Sequence, residues 1–157
     1  MSEGVGTILR NGVLAGLAGS VTISLYLGIT LPLFFRVPAI ALFQWDASNI
    51  VGPGAFDGGA ATALLGFFFD CVVAACWGLA WACTLEWLPV VRRPAFAWGL
   101  AFGVVVMLVM QNLIVPLGRA APAHHAMAQA LNVLVAHTLF FGVPVALCAR
   151  ALRRASN

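Results

Sequence analysis

Residues 58–85 read GGAATALLGFFFDCVVAACWGLAWACTL and contain one charged side chain, Asp70. A helix needs about 20 mostly apolar residues to cross the hydrocarbon core of a bilayer. This stretch is longer than that minimum, and its single carboxyl group lies near the middle. It therefore predicts a membrane-spanning helix that carries an acid at depth.

Three further stretches of similar length contain no Asp, Glu, Lys or Arg. They are residues 11–35, 94–118 and 126–149. Of all residues, 62% are hydrophobic and 8% are charged, and the mean hydropathy is +1.01, whereas about a quarter of residues are charged in soluble domains. We expect an all-α, polytopic membrane protein with four transmembrane helices in a single domain over residues 1–157, spanning about 11–35, 58–85, 94–118 and 126–149.

The longest polar interruption, WDASNIVGPGAFDGG at residues 45–59, lies between the first and second spans. The segment that enters it has apolar residues at helical spacing, namely Ile40, Phe43, Ala47 and Ile50. Such a pattern is typical of an amphipathic helix on a membrane surface. We expect a short interfacial helix at about 38–51, with Trp45 at headgroup depth. Asp57 is placed to cap the next span.

The arginines predict the orientation of the spans, because cytoplasmic loops carry an excess of basic residues. Four spans put both termini and the turn at 90–93 on one side. That side holds Arg10, Arg92, Arg93, Arg150, Arg153 and Arg154, and the other side holds Arg36 and Arg119. We therefore expect a multi-pass protein of the bacterial inner (cytoplasmic) membrane with both termini cytoplasmic. Basic residues at span ends form no binding patch, so we expect no nucleic-acid partner.

Asp70 is the most informative side chain, because a charge at the bilayer centre costs about 2.5–3.5 kcal/mol on insertion scales. The predicted spans contain no Arg or Lys to offset it. The carboxyl group must be neutral, hydrogen-bonded to polar neighbours, or paired with His137. The other candidate members of an intramembrane polar cluster are Gln111, Asn112 and Tyr26. Two interpretations stay open: a proton-coupled or ligand-binding carboxylate, and a neutral acid that joins helices by hydrogen bonds.

Two pairs of glycines have a spacing of four residues. Gly12 and Gly16 lie in the first span, and Gly99 and Gly103 lie in the third. Small residues at this spacing let helix backbones approach closely in lipid, where packing replaces the hydrophobic effect. We expect these glycines to form helix-packing faces.

The sequence contains no recognisable catalytic, metal-binding or cofactor-binding motif. Gly-x-Ser-x-Gly, His-Glu-x-x-His and glycine-rich phosphate loops are absent. No two cysteines form a Cys-x-x-Cys pair, and we expect all four to be packing residues: Cys71, Cys76, Cys83 and Cys148. His124 and His125 are expected to cap the fourth helix at the interface. We therefore predict no enzyme activity, no metal and no cofactor.

Several short motifs together cover about half of the chain. They are Ala47-Ser48 before a glycine turn, residues 55–66, Met110-Gln111 with Pro116-Leu117, and Ala136-His137 with residues 142–147. In these motifs the chain resembles a group of small bacterial four-helix integral membrane proteins that have no established activity. The resemblance implies four helices and no catalytic activity. The chain departs from it at Asp70, where the resemblance implies histidine, and at Gln111, where it implies asparagine.

Two functions follow as hypotheses. The leading one is a non-catalytic accessory or helix-packing protein of the cytoplasmic membrane, which forms a homo-oligomer or joins a larger membrane complex through its Gly and Ala faces. The alternative is a small transporter or channel that works around Asp70, Gln111 and His137. Transport predicts that these three side chains line a common cavity, whereas the accessory function predicts a closed, dry bundle.

Overall fold

The computed structural model describes residues 4–120 and 126–156, apart from the side chain of Arg92. Within these residues the chain forms helices and no strands. The helices are α1 (Val5–Phe35), α2 (Ala39–Val51), α3 (Gly59–Trp87), α4 (Ala95–Leu117) and α5 (Met127–Ser156). All except α2 are long and apolar enough to cross a membrane. The predicted all-helical class with four such helices is confirmed.

The helices that contain the first and last predicted spans are longer than those spans. α1 begins at Val5 rather than near residue 11, and α5 continues to Ser156 rather than ending near 149. Counting only uncharged residues shortened both spans, because Arg10 and the C-terminal arginines interrupt the apolar run. Arginine is nevertheless a good helix former, so a helix continues through it after leaving the apolar layer. The other two spans agree within two residues.

The bundle consists of two helix pairs, and glycines make each pair close. In the α1–α3 pair, a Cβ atom at Gly12 would lie 2.9 Å from the Cα of Leu79 and 3.1 Å from the carbonyl oxygen of Gly78. In the α4–α5 pair, a Cβ atom at Gly99 would lie 2.8 Å from the Cα of Val143. Backbones therefore touch with no side chain between them, as in other membrane helix pairs with small residues at the contact.

The second glycine of each predicted pair makes the same kind of contact. A Cβ atom at Gly16 would overlap the carbonyl oxygen of Ala74, and one at Gly103 would overlap that of His137. The structure thus places all four predicted glycines against other helices of the same chain.

The start of α1 and the ends of α3 and α5 lie side by side. The Asn11 amide donates to the Oγ of Ser156 at 3.5 Å, and the Arg10 guanidinium donates to the same oxygen at 3.3 Å. Glu86 at the end of α3 forms an ion pair with Arg153 of α5. We call this end of the bundle the terminal face. The segment that joins α1 to α3 lies at the opposite end together with the end of α4, where the backbone N–H of Arg119 donates to the carbonyl oxygen of Asn49.

α2 packs along α3. Its buried residues are Gln44, Ala47 and Ser48, whereas Ile40 and Ile50 of the predicted apolar stripe are exposed. Gln44 and Ser48, which lie away from the predicted stripe, and Ala47, which belongs to it, are therefore the residues of α2 that the bundle buries, and the interfacial position of this helix stays a prediction.

Close approach and hydrogen bonding explain this orientation. A Cβ atom at Gly66 of α3 would lie only 3.0 Å from the backbone nitrogen of Ala47. The backbones of α2 and α3 are therefore so close at this point that position 66 has no room for a side chain. The Gln44 side-chain amide donates to the carbonyl oxygens of Phe56 at 3.4 Å and Gly59 at 3.2 Å. These carbonyls lie where the chain turns into α3, and a buried amide needs such partners.

The predicted cap of α3 by Asp57 is wrong. The N-cap residue is Gly58, no side chain donates to or accepts from this helix end as a cap, and Asp57 is exposed. The entry to α3 is tied down instead by Thr62, whose hydroxyl donates to the carbonyl oxygen of Ala55 at 2.6 Å. This bond joins the first turn of α3 to the short 3-10 turn at Pro53–Asp57.

Candidate functional site

A cavity of about 430 Å³ lies among all five helices, in the half of the bundle remote from the terminal face. Small-molecule sites have volumes of about 300–1,000 Å³, with mostly apolar walls and a few polar groups. Apolar residues line most of this cavity too. Its carboxyl, amide and imidazole groups come from Asp46, Asn49, Asp70, Gln111, Gln129 and His137. The cavity thus has the size and composition of a small-molecule site.

Asp70 reaches the cavity from the middle of α3. One of its carboxylate oxygens, Oδ2, accepts a hydrogen bond of 2.5 Å from the hydroxyl of Ser20 on α1. Ser20 is only 1% exposed. Its hydroxyl orients the carboxyl group, whereas Oδ1 accepts no hydrogen bond from any described residue. The polar partner of Asp70 is therefore Ser20, rather than any of the candidates that the sequence suggested. Ser20 lies one turn after Gly16, on the face that meets α3, and that spacing was the available signal.

Asp46 of α2 is a second acid at this cavity, and sequence reasoning missed it. Burial, and secondly the charge of Asp70, raise the pKa of the Asp46 carboxyl well above its usual range. The apolar stripe predicted for α2 left Asp46 among the residues that lie away from it, and no role followed for the carboxyl group. A different helical spacing would have grouped it with other residues that line the cavity, namely Leu42, Trp45 and Asn49.

The end of α2 is tied to the end of α4. The backbone N–H of Arg119 donates to the carbonyl oxygen of Asn49 at 2.9 Å. A Cβ atom at Gly118 would lie 2.9 Å from the Asn49 side-chain oxygen, so the two segments touch. α2 is thereby held over the cavity at the end opposite the terminal face, with Asp46 directed into it.

Gln111 and His137 lie in π-helical turns, at Met110–Ile114 of α4 and Ala136–Gly142 of α5. The Nδ1 atom of His137 is 2.9 Å from the carbonyl oxygen of Val133. Because a carbonyl oxygen can only accept, Nδ1 carries a hydrogen, and a neutral ring keeps Nε2 as an acceptor. π-helical turns are rare and occur frequently at functional sites.

Neighbouring helices stabilise the π turn of α5. The hydroxyl of Thr22 on α1 donates to the carbonyl oxygen of Phe140 at 2.5 Å, which supplies a partner for a carbonyl in the widened turn. On the other side, the missing side chain of Gly103 lets the backbone of α4 lie against the carbonyl of His137. The position of His137 therefore depends on contacts from both α1 and α4.

Two members of the predicted polar cluster do not line the cavity. Asn112 is exposed, and its amide donates to the carbonyl oxygen of Leu108, because it lies about 100° around the helix from its cavity-lining neighbour. The Tyr26 hydroxyl donates to Asn132 at 2.8 Å, and the Asn132 amide donates to Thr30 at 3.2 Å. Tyr26 therefore joins α1 to α5. The corrected cluster at the cavity is Asp46, Asp70, Gln111 and His137.

Among the described residues, no group of three or more His, Cys, Asp or Glu side chains could hold a metal ion. Each of the four cysteines is free. His124 and His125 lie outside the described residues, so their predicted capping role stays a prediction.

No protein-family model, curated protein or solved structure matches this chain. The interpretation of the cavity therefore follows from its geometry and chemistry.

Asp46→Asn should raise the melting temperature in detergent by a few degrees at about pH 8 and leave it unchanged at about pH 4. The folded carboxyl holds its proton more tightly than the unfolded one. As the pH rises through the unfolded pKa, the unfolded chain releases this proton first, and the wild-type fold loses relative stability until the folded carboxyl also ionises. Asparagine removes that loss. Asp57→Asn, at an exposed acid that is not among the residues lining the cavity, is the matched control and should change neither value. An equal effect at both pH values would contradict the burial of Asp46.

Proposed function

We propose that this protein is a small multi-pass membrane transporter that binds its solute in the carboxyl-lined cavity and couples its passage to protonation. One observation carries the proposal. Asp70, Gln111 and His137, from three different helices, line one cavity of about 430 Å³ together with Asp46. A common cavity is what transport requires of these residues, whereas a closed bundle was the expectation for an accessory protein.

Electrostatics supports a functional role for the two acids. Ionisable side chains inside a membrane protein are costly, and they commonly mark solute or proton pathways. Two carboxyl groups at one site do not ionise independently, because the first negative charge disfavours the second. Such a pair binds and releases a proton in response to any charge that enters the cavity, which provides a means of coupling.

A non-catalytic accessory protein is less well supported by the packing. That function was to use glycine faces for association with other chains. Gly12, Gly16, Gly99 and Gly103 all contact helices of this chain instead. Their surfaces are therefore occupied within the bundle. A homo-oligomer would have to use other lipid-facing surfaces.

The arginine distribution supports a location in the cytoplasmic membrane with the terminal face in the cytoplasm. In that orientation α2 lies on the outer side as an interfacial helix, and the cavity belongs to the outer half of the bundle. Solute would then enter or leave past α2. We assign no catalytic residue to the cavity, so the proposal concerns passage and not a reaction.

Proton flux in proteoliposomes tests this function. Vesicles with a trapped pH dye, an imposed pH gradient and a clamped voltage are given four aromatic probes: benzyltrimethylammonium, benzenesulfonate, benzyl alcohol and phenylalanine. The wild type should move protons with at least one probe, and Asp70→Asn should reduce that flux to the rate of protein-free vesicles. Asp57→Asn is the matched control and should retain the wild-type flux. The absence of protein-dependent flux with all four probes, or unchanged flux in Asp70→Asn, would overturn the proposal.

A further inference from the structure

The charged residues around the cavity indicate whether its ligand is positively or negatively charged. The lining residues include two acids, Asp46 and Asp70, and no arginine or lysine. Among the described lining residues, His137 is the other group that can titrate. The lining residues from α1 and α4 have apolar or amide side chains. A negative solute would meet uncompensated carboxylates in a poorly solvated site, whereas a cation would neutralise them. The cavity therefore favours a positive ligand.

The walls of the cavity favour an organic cation over a metal ion. Trp45, Phe56 and Phe69 line it beside aliphatic side chains. The rings of Trp45 and Phe56 lie 6.3 Å apart between centroids, at 56° to each other. Tilted aromatic faces attract cations, quaternary ammonium groups in particular. A small inorganic ion would leave the apolar wall in contact with water, and the described residues provide no set of three metal ligands.

The two acids also provide the proton that is released when the cation binds. Oδ2 of Asp70 is held by Ser20, and its Oδ1 accepts no hydrogen bond from a described residue. Asp46 lines the same cavity, and burial, followed by the charge of Asp70, raises the pKa of its carboxyl group. When both carboxyl groups are protonated, the pair is neutral. A monovalent cation then binds as one carboxyl group releases its proton, so the total charge of the site is unchanged.

Resting on the proposed transport function, we infer that the solute is a hydrophobic organic cation with an apolar or aromatic body, and that it exchanges for one proton at the Asp46–Asp70 pair. The aromatic side chains contact the apolar body, and the two carboxyl groups face the positive head. Gln111 and His137 bound the same space from α4 and α5. The proton released on binding leaves the cavity, and its return on the other side of the membrane displaces the cation.

Calorimetry in detergent with benzyltrimethylammonium tests this inference. The probe carries a permanent charge, so any pH dependence of its binding belongs to the protein. Its affinity should rise by up to about tenfold per pH unit where one proton is released, and titrations in two buffers of different ionisation enthalpy should report that proton. Benzyl alcohol and benzenesulfonate, at the same concentrations, should not bind.

Variants assign the site. Asp70→Asn and Asp46→Asn should each weaken binding of the cation by about tenfold or more, which corresponds to 1.4 kcal/mol or more. Asp57→Asn should bind as the wild type does. Melting curves establish that each variant is folded. Binding of the neutral or anionic probe as tightly as the cation, or a cation affinity that depends on neither acid nor pH, would overturn the inference.

The two proposals fail in different ways. Binding of the cation without any proton flux would overturn transport and leave the ligand assignment intact. Flux driven by phenylalanine or benzenesulfonate, but not by the cation, would overturn the ligand assignment and leave transport intact.

Discussion

Gly16→Ala should lower the free energy of unfolding by about 3 kcal/mol, since overpacking a tight contact costs about 1–3 kcal/mol or more. The added methyl group would overlap the carbonyl oxygen of Ala74 and lie 2.9 Å from the Cα of Ala75. Both atoms belong to the backbone of α3, which cannot rotate away as a flexible side chain can. The only way to make room is to move α1 away from α3. Separating these helices also weakens the contact of Gly12 with Gly78.

Thermal unfolding in detergent measures this effect. A loss of about 3 kcal/mol should lower the melting temperature by about 6–12 °C in a chain of this size. Gly28→Ala is the matched control, because the same methyl group on the same helix would have nothing within 4 Å. Alanine is also the better helix former by about 1 kcal/mol, so the control should be neutral or slightly stabilising. Equal melting temperatures for the two variants would show that the α1–α3 contact is looser than the structure has it.

Gly103→Ala should destabilise the bundle by a similar amount, about 3 kcal/mol, and should also abolish binding at the cavity. The methyl group would overlap the carbonyl oxygen of His137 and lie 2.6 Å from the Cα of Thr138. Both residues belong to the π turn of α5. Relief of the overlap must shift that turn, and with it the imidazole of His137.

Two readouts separate the structural part of this effect from the functional part. The melting temperature reports the loss of packing, and benzyltrimethylammonium binding, measured well below that temperature, reports the cavity. Ala101→Val adds two methyl groups to an exposed position of the same helix and should leave both readouts unchanged. If Gly103→Ala bound the cation with wild-type affinity, the contact of α4 with the π turn would not position His137.

The four long helices could be predicted because their signal is local. Each span is an apolar run, and any apolar run of that length can satisfy its backbone hydrogen bonds in lipid only as a helix. The helices α1 and α5 extend beyond the predicted spans, because an arginine excludes a residue from the apolar layer without ending the helix. The predicted cap by Asp57 failed because backbone geometry and Thr62 occupy the entry to α3.

The cavity could be predicted only in part. Asp70, Gln111 and His137 are polar residues at similar depths on three spans, so depth alone suggested that they meet. Depth could not show that Tyr26 turns toward Asn132. The second acid, Asp46, lies on a helix whose rotation is decided by its neighbours. The periodicity of α2 does not predict that Ala47 packs against Gly66. It also does not predict that the Gln44 amide donates to the carbonyl oxygens of Phe56 and Gly59.

The sequence by itself determined that four helices are long and apolar enough to cross a membrane, that an acid lies within one of them, and that glycines permit two close helix contacts. These properties follow from solvation and steric size, which belong to each segment. The tertiary structure alone decided that α2 closes over the bundle and turns Asp46 toward the cavity of Asp70, and that Ser20 holds the deeper carboxyl group. Helix rotation and side-chain pairing are set by contacts between distant segments, so the sequence of one segment alone does not predict them.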